Sequence, residues 1–387
     1  MSERCVLLQV IPHDHPEEAL ANLGELEQLV ATYGGKVMER VTQHRPHPDP
    51  NTYIGRGKLE WLKEYVKDEE IDIVILNAVA KTSQLFRLEK ALWEVNTQIQ
   101  VWDKVDLILH IFEQHAQTTE AKLQIELARI QQRGARIYGL GGTVLSRQGG
   151  GIGTRGLGET NIEIERRHMK QRVQFLKKEL KKRAKNQSQR IQDRQNRGVF
   201  TTALVGYTSA GKTTLFNALT NKQKTTHQGL FTTLDSVVGK VKFAKTPPVL
   251  VSDTIGFIED LPPALVEAFR STLQESLQAR ALLHVVDAAS PKRDDKIAVV
   301  ENILQELGVE VIPILVLNKI DLLSEDDQLQ LEKQYADRQH FLVSAQTGAG
   351  IKKLKDWLQT SSLDTLQPLL NSEEKSETET AAEHEDR

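Results

Sequence analysis

The sequence predicts an α/β chain: a small parallel α/β domain at the N-terminus, a long antiparallel helical hairpin, a second α/β domain and a disordered acidic tail. Three observations predict it. Short β-branched runs alternate with helix-period segments over residues 1–105 and again after Val199. Between them lie two long stretches with apolar residues three and four apart, broken by a glycine cluster. After Leu370 the composition collapses to NSEEKSETETAAEHEDR, too polar to offset its ordering entropy. The expected divisions are 1–105, 106–197, 198–361 and 362–387.

The first domain reads as β-α-β-α-β-α-β. Val6–Ile11 is a strand, and Glu17–Tyr33 is a helix with Leu20, Leu23, Leu26, Leu29 and Val30 on one face. Gly34 and Gly35 end that helix, and Lys36–Thr42 is the second strand. Leu59–Val66 is helical, Ile71–Leu76 a buried-type strand, Gln84–Trp93 helical, and Gln98–Val101 the last strand. That order implies a parallel sheet covered by helices. From Leu107 onward, Ile111, Phe112, Ala116, Leu123, Leu127 and Ile130 predict one long amphipathic helix. Nine glycines follow between Gly139 and Gly158. A second long helix then carries Met169, Val173, Leu176, Leu180 and Ala184, and the matching seams predict an antiparallel pair. Beyond Val199 the strand candidates are Phe200–Val205, Val237–Phe243, Val249–Ser252, Leu282–Asp287, Ile312–Leu317 and Phe341–Val343. Helical segments around Thr213–Leu219, Leu265–Gln274, Lys296–Leu307, Asp326–Gln334 and Lys352–Leu358 separate most of them.

Composition excludes several classes. With 387 residues, 39% hydrophobic and 27% charged, the chain is neither wholly disordered nor a membrane protein. The apolar stretch Ile71–Ala80 contains Asp72 and Asn77 and is too short to span a bilayer. The opening MSERCVLLQVIP makes a poor signal peptide, and a lone Cys5 fits a reducing, cytoplasmic setting. A monomer is expected.

The chemistry begins at Gly206-Tyr207-Thr208-Ser209-Ala210-Gly211-Lys212-Thr213, which follows an apolar strand and opens a helix that continues through Thr214. This is G-x-x-x-x-G-K-[ST] in its required context. Its backbone N–H groups can turn around phosphate oxygens, with Lys212 along the β- and γ-phosphates and the Thr213 hydroxyl on Mg²⁺. Asp253-Thr254-Ile255-Gly256 follows the strand Val249–Ser252, so Asp253 can hold Mg²⁺ through water and the Gly256 amide can sense a γ-phosphate. Between these motifs lies Leu230-Phe231-Thr232-Thr233-Leu234-Asp235, where Thr233 can complete the Mg²⁺ shell and swing out after hydrolysis. Asn318-Lys319-Ile320-Asp321 supplies base selection. The Asp321 carboxylate accepts from guanine N1–H and the exocyclic amine, Asn318 reaches the base edge, and the Lys319 stem lies over the ring. Ser344-Ala345 follows the next strand and completes the set. GTP and GDP are the expected ligands. Phe257 stands where many small GTPases place a water-orienting glutamine, so slow hydrolysis accelerated by a partner is expected.

These motifs resemble a translation-factor-class P-loop GTPase, and further segments narrow the resemblance. Thr52-Tyr53-Ile54-Gly55-Arg56-Gly57-Lys58, Leu123–Ala128, Ser146–Gly153, Arg155–Thr160, Leu261-Pro262 and Leu265–Phe269 are similar to those of the HflX family, over about residues 5 to 360. The resemblance implies an α/β N-terminal domain, a helical hairpin and a GTPase domain. It also implies binding to the large ribosomal subunit and its rRNA, with a role in splitting or rescuing stalled ribosomes. The usual R-G-P-G-E of the family is Arg155-Gly156-Leu157-Gly158-Glu159 here, and R-A-R-T-x-E is His115-Ala116-Gln117-Thr118-Thr119-Glu120.

Charge is unevenly spread. The net charge of −3 sums a tail with seven acids and two basic residues, and a helix from Asn161 to Arg197 with thirteen basic residues against four acids. The basic stripe is the footprint of a phosphate backbone, with Arg166, Arg167 and Lys170 on the helix and Arg147 and Arg155 in the glycine loop as RNA-contact candidates. A solvated coiled-coil exterior would give the same charge run, and a flexible linker the same loop. Two other functions share these motifs: a GTP switch for a protein effector, and an RNA-remodelling enzyme that also takes ATP. Asp321 weighs against ATP as the main substrate.

Overall fold

The structure, a computed structural model, describes residues 2–12, 16–140, 161–221, 230–231, 237–244, 246–254, 256–258, 278–309 and 311–364. The chain forms two compact units, one built mainly from the first 180 residues and the other mainly from residues 181–387.

The first unit contains β1 (Arg4–Ile11), α1 (Pro16–Tyr33), β2 (Lys36–His44), α2 (Arg56–Asp68), β3 (Ile73–Leu76), α3 (Thr82–Leu92) and β4 (Gln100–Asp103). The sheet runs β2-β1-β3-β4 and every pairing is parallel. β1 is central and buried from Cys5 to Ile11, an apolar run interrupted by the buried Gln9, because helices cover both faces. Val6, Leu8 and Val10 pack with Leu59, Leu62 and Val66 of α2 and with Leu85, Leu88 and Leu92 of α3. α1 packs against β1 with Leu26, Leu29 and Val30 fully buried.

Two helices, not one, follow. α4 (Lys104–His115) ends at Ala116, whose ψ of 112° is extended, and α5 (Thr119–Leu140) begins afresh. The apolar spacing is continuous across the break, but the Thr118 hydroxyl accepts from the Ala121 amide at 3.1 Å and caps a new helix. α4 itself opens on a reciprocal capping box between Asp103 and Asp106. α6 (Asn161–Asn196) is the expected long basic helix. Arg172 of α6 grips Glu126 of α5 with two hydrogen bonds of 2.6 and 2.8 Å. The glycine-loop candidates Arg147 and Arg155 lie outside the described residues.

The second unit holds a six-stranded sheet in the order β10-β9-β8-β5-β7-β6. Its strands are β5 (Thr201–Val205), β6 (Val237–Val241), β7 (Val249–Asp253), β8 (Ala281–Asp287), β9 (Ile314–Asn318) and β10 (His340–Leu342). All pairings are parallel except β6 with β7, which a short connection joins as an antiparallel edge hairpin. α7 (Lys212–Thr220), α8 (Arg293–Glu306), α9 (Glu325–Gln334) and the helix at 351–364, α10, complete the described layers. One face packs Leu204, Leu283, Val285 and Val316 on Leu215 and Phe216 of α7 and Leu354 and Leu358 of α10. The other packs Val286, Leu315 and Leu317 on Ile297 and Leu331. α10 keeps Ser362 buried, and the acidic tail from 365 lies outside the described residues, as does the helix expected over Leu265–Gln274.

Candidate active site

The parallel strands β5, β8 and β9, with β7, end on one edge of the sheet, where an open α/β fold places ligands. The loop after β5 reaches Lys212, the first residue of α7. Two glycines make its path possible. A Cβ on Gly206 would sit 2.2 Å from the Val285 carbonyl oxygen, and Gly211 has φ of +93° with Asn318 Nδ2 2.2 Å from the same imagined atom. No other residue fits either place. Lys212 Nζ donates to the carbonyls of Gly206 (3.0 Å) and Tyr207 (2.8 Å), which curls the loop around the ammonium. Burial lowers the Lys212 pKa to about 8, against the pull of the Asp253 charge.

Thr213 and Asp253 meet as the spacing requires. The Thr213 hydroxyl donates to Asp253 Oδ2 at 3.0 Å, and both side chains are buried. This paired hydroxyl and carboxylate, next to the phosphate loop, are hard oxygen donors of the kind Mg²⁺ takes. Thr254 lies elsewhere: its hydroxyl donates to Leu204 O at 2.7 Å and ties β7's end to β5. Gly256 reaches the loop so closely that a Cβ would be 2.8 Å from Thr208 Cγ2 and 3.0 Å from Lys212 Nζ. Phe257 is 1% exposed, and its backbone pairs with the loop through Thr208 N to Phe257 O (2.7 Å) and Phe257 N to Gly206 O (3.1 Å). Its side chain packs inside the protein and offers water nothing. Ser209 is exposed with φ of +59°, Tyr207 carries Lys296 Nζ 5.1 Å over its ring, and Phe231 is buried with φ of +58°. Thr232, Thr233, Leu234, Asp235 and Ile255 lie outside the described residues.

At the end of β9, Asn318 acts as a clamp. Its Nδ2 donates to Ala210 O (2.9 Å) and its Oδ1 accepts from Ala345 N (2.9 Å), so one amide joins the phosphate loop to the turn after β10. Lys319 has φ of +67° and donates to Asp287 Oδ2 at 2.6 Å. Asp321 lies exposed in a single 3₁₀ turn over Ile320–Leu322, and the Ser344 hydroxyl caps the turn by accepting from Thr347 N. Asp287 is absent from the residues that spacing picks out. The available signal is an acid ending the apolar strand beside the one that carries Asn318.

On α6, Arg167 and Lys170 are exposed and Arg166 is half-buried, within a run that also exposes Arg172, Lys177 and Lys178. Among the described residues, no helix is long and apolar enough to cross a membrane.

A curled phosphate loop, a paired hydroxyl and carboxylate, and an N-K-x-D turn on one sheet edge define a P-loop GTPase. GTPase HflX of Caldanaerobacter subterraneus subsp. tengcongensis is 43% identical over 322 residues, 83% of this chain and 73% of the relative. GTPase HflX of Escherichia coli (strain K12) is 38% identical over 354 residues, 91% and 81% of the two chains. The chain belongs to the HflX family of GTPases, and it is a GTP-hydrolysing enzyme. Three family descriptions match in order: GTP-binding GTPase N-terminal (residues 21–113), GTP-binding GTPase Middle Region (115–194) and 50S ribosome-binding GTPase (201–319). Among solved structures, the complex of SsGBP with GDP is similar at TM-score 0.52 and 26% identity, covering 93% of this chain and 99% of the other.

Proposed function

We propose that this GTPase associates with the large ribosomal subunit through its rRNA and acts on stalled ribosomes, splitting or rescuing them in the cytoplasm as a monomer. The observation that carries the reading is a nucleotide site joined in one chain to a helix, α6, with twelve basic residues against four acids. Such a helix matches a phosphate backbone, and its affinity falls with salt. Arg166, Arg167 and Lys170, with Arg147 and Arg155 from the glycine loop, are its proposed RNA contacts. The four-part division at 105, 197 and 361 is proposed with it.

In the site, loop amides from Gly206 to Thr214 surround the phosphates, and Lys212 lies along the β- and γ-phosphates. Thr213 and Thr233 would hold Mg²⁺ directly and Asp253 through water. The bound ion supplies positive charge that neutralises the β- and γ-oxygens. The Gly256 amide donates to the γ-phosphate. Asp321 accepts from guanine N1–H and the amine. Asn318 holds the loop and base turn in register, Lys319 and Ile320 line the base with Ser344 and Ala345, and Asp287 fixes Lys319.

Co-sedimentation with purified large subunits tests the function. Binding should be stronger with a non-hydrolysable GTP analogue than with GDP and should weaken steadily as salt rises. Equal pelleting with both nucleotides at every salt concentration would sink the proposal.

A further inference from the structure

Phe257 cannot orient water, so the polar group at the reacting phosphate must come from elsewhere. The loop hydroxyls differ in what they already do. Thr213 donates to Asp253, Thr254 donates to Leu204 O, and Ser209 is exposed on a left-handed backbone. Thr208 is the exception. It is 6% exposed, and its Oγ1 is buried with no hydrogen-bond partner among the described residues. A buried hydroxyl left unpaired is destabilising, so a role that supplies its missing partner is called for.

Thr208 sits where such a partner would arrive. Its amide is held by Phe257 O, so the backbone cannot drift. Its Cγ2 lies against Gly256, beside Lys212 Nζ, the two groups assigned to the γ-phosphate. One staggered step about χ1 brings Oγ1 to the position Cγ2 now fills. That rotation breaks no hydrogen bond among the described residues, because Oγ1 makes none there.

We propose that Thr208 is a further catalytic residue, whose hydroxyl turns toward the γ-phosphate and accepts a hydrogen bond from the attacking water. The inference rests on the reading of Lys212 and Gly256 as γ-phosphate contacts. The water oxygen forms the new bond to the γ-phosphorus, and the bridging P–O bond breaks with its electron pair left on GDP. The water proton passes to a γ-phosphate oxygen and leaves with inorganic phosphate. Thr208 neither gains nor loses a proton; it fixes the water's direction.

Single-turnover and steady-state GTP hydrolysis, with GDP and GTP-analogue affinities, test this on Thr208→Val, which keeps the shape and loses the hydroxyl, and on Thr208→Ser, which does the reverse. The full-length chain is used. Thr208→Val should lower kcat about 10- to 100-fold with KM and both affinities unchanged, and Thr208→Ser should keep most of the rate. A Thr208→Val enzyme at the wild-type rate would show that the side chain only packs. A raised KM at unchanged kcat would assign the hydroxyl to ground-state binding; either result overturns the proposal. Should Thr208→Val fail to fold, Thr208→Ser and Thr208→Ala carry the comparison: equal rates in those two overturn it. Lys212→Ala controls the underlying assignment, since retention of full GTP affinity there removes the phosphate site itself.

Discussion

Asp321 and His284 show how much one side chain decides here. In the proposed role of Asp321, an exposed carboxylate on a 3₁₀ turn reads a donor pair that guanine has and adenine lacks. Asp321→Asn should weaken GTP binding about 10- to 100-fold and improve binding of xanthosine triphosphate, whose C2 carbonyl accepts from the new amide. Competition binding with the two triphosphates measures it. His284 lies at the centre of the sheet, 1% exposed, with Nδ1 unpartnered. Burial, then the charges of Arg338 and Lys212, depress its pKa to about 3. The unfolded imidazole takes its proton near the ordinary value of 6.5, so the folded state is fully favoured above that pH. Stability is lost as pH falls from 6.5 toward 3, because the unfolded chain binds the proton first. Urea unfolding at pH 7 and pH 5 should show the loss, and His284→Leu should reduce the difference between the two.

At the scale of elements, the site depends on β9 and the phosphate loop being joined by Asn318. Asn318→Ala leaves Ala210 O and Ala345 N without their partner and should cost about 1–3 kcal/mol of stability. Nucleotide affinity should fall with it, and thermal shift with and without GDP separates the two effects. The helix break at 116–118 follows the same logic. Thr118→Ala removes the cap on α5 and should cost about 1 kcal/mol, read by denaturant midpoint. Arg172 and Glu126 are both substantially exposed, so their bidentate pair orders the α5–α6 contact more than it stabilises it.

For the chain as a whole, the salt dependence of the proposed ribosome association is the quantity that tests it. Charge averaged over the chain argues against a nucleic-acid partner, whereas charge resolved along it argues for one. Lys170→Ala and Arg167→Ala should each lower subunit affinity and reduce the slope of log K against log salt by about 0.7–1. Intrinsic GTP hydrolysis should not change, since both residues lie on α6, outside the nucleotide site. Sedimentation at four or five salt concentrations gives the slope, and an unaltered slope for both variants would assign the basic helix a solvated role.

The parallel sheet of the first unit, the phosphate loop and the N-K-x-D turn were legible in the amino-acid sequence, because these depend on local periodicity, glycine conformations and fixed spacing. Strand ends shifted by a residue or two, and nothing in the patterning of β6 announced an antiparallel edge. Tertiary structure alone decided what each polar side chain touches. Asn318 spends its amide on Ala210 and Ala345, Thr254 serves β5, Asp287 holds Lys319, and Thr208 keeps a hydroxyl in reserve. The break after Ala116 was equally invisible, since an apolar seam keeps its period across a cap. The physical reason is common to all of these: a hydrogen bond between residues far apart in the chain leaves no periodicity and no spacing, and exists only once the fold has brought its two partners together.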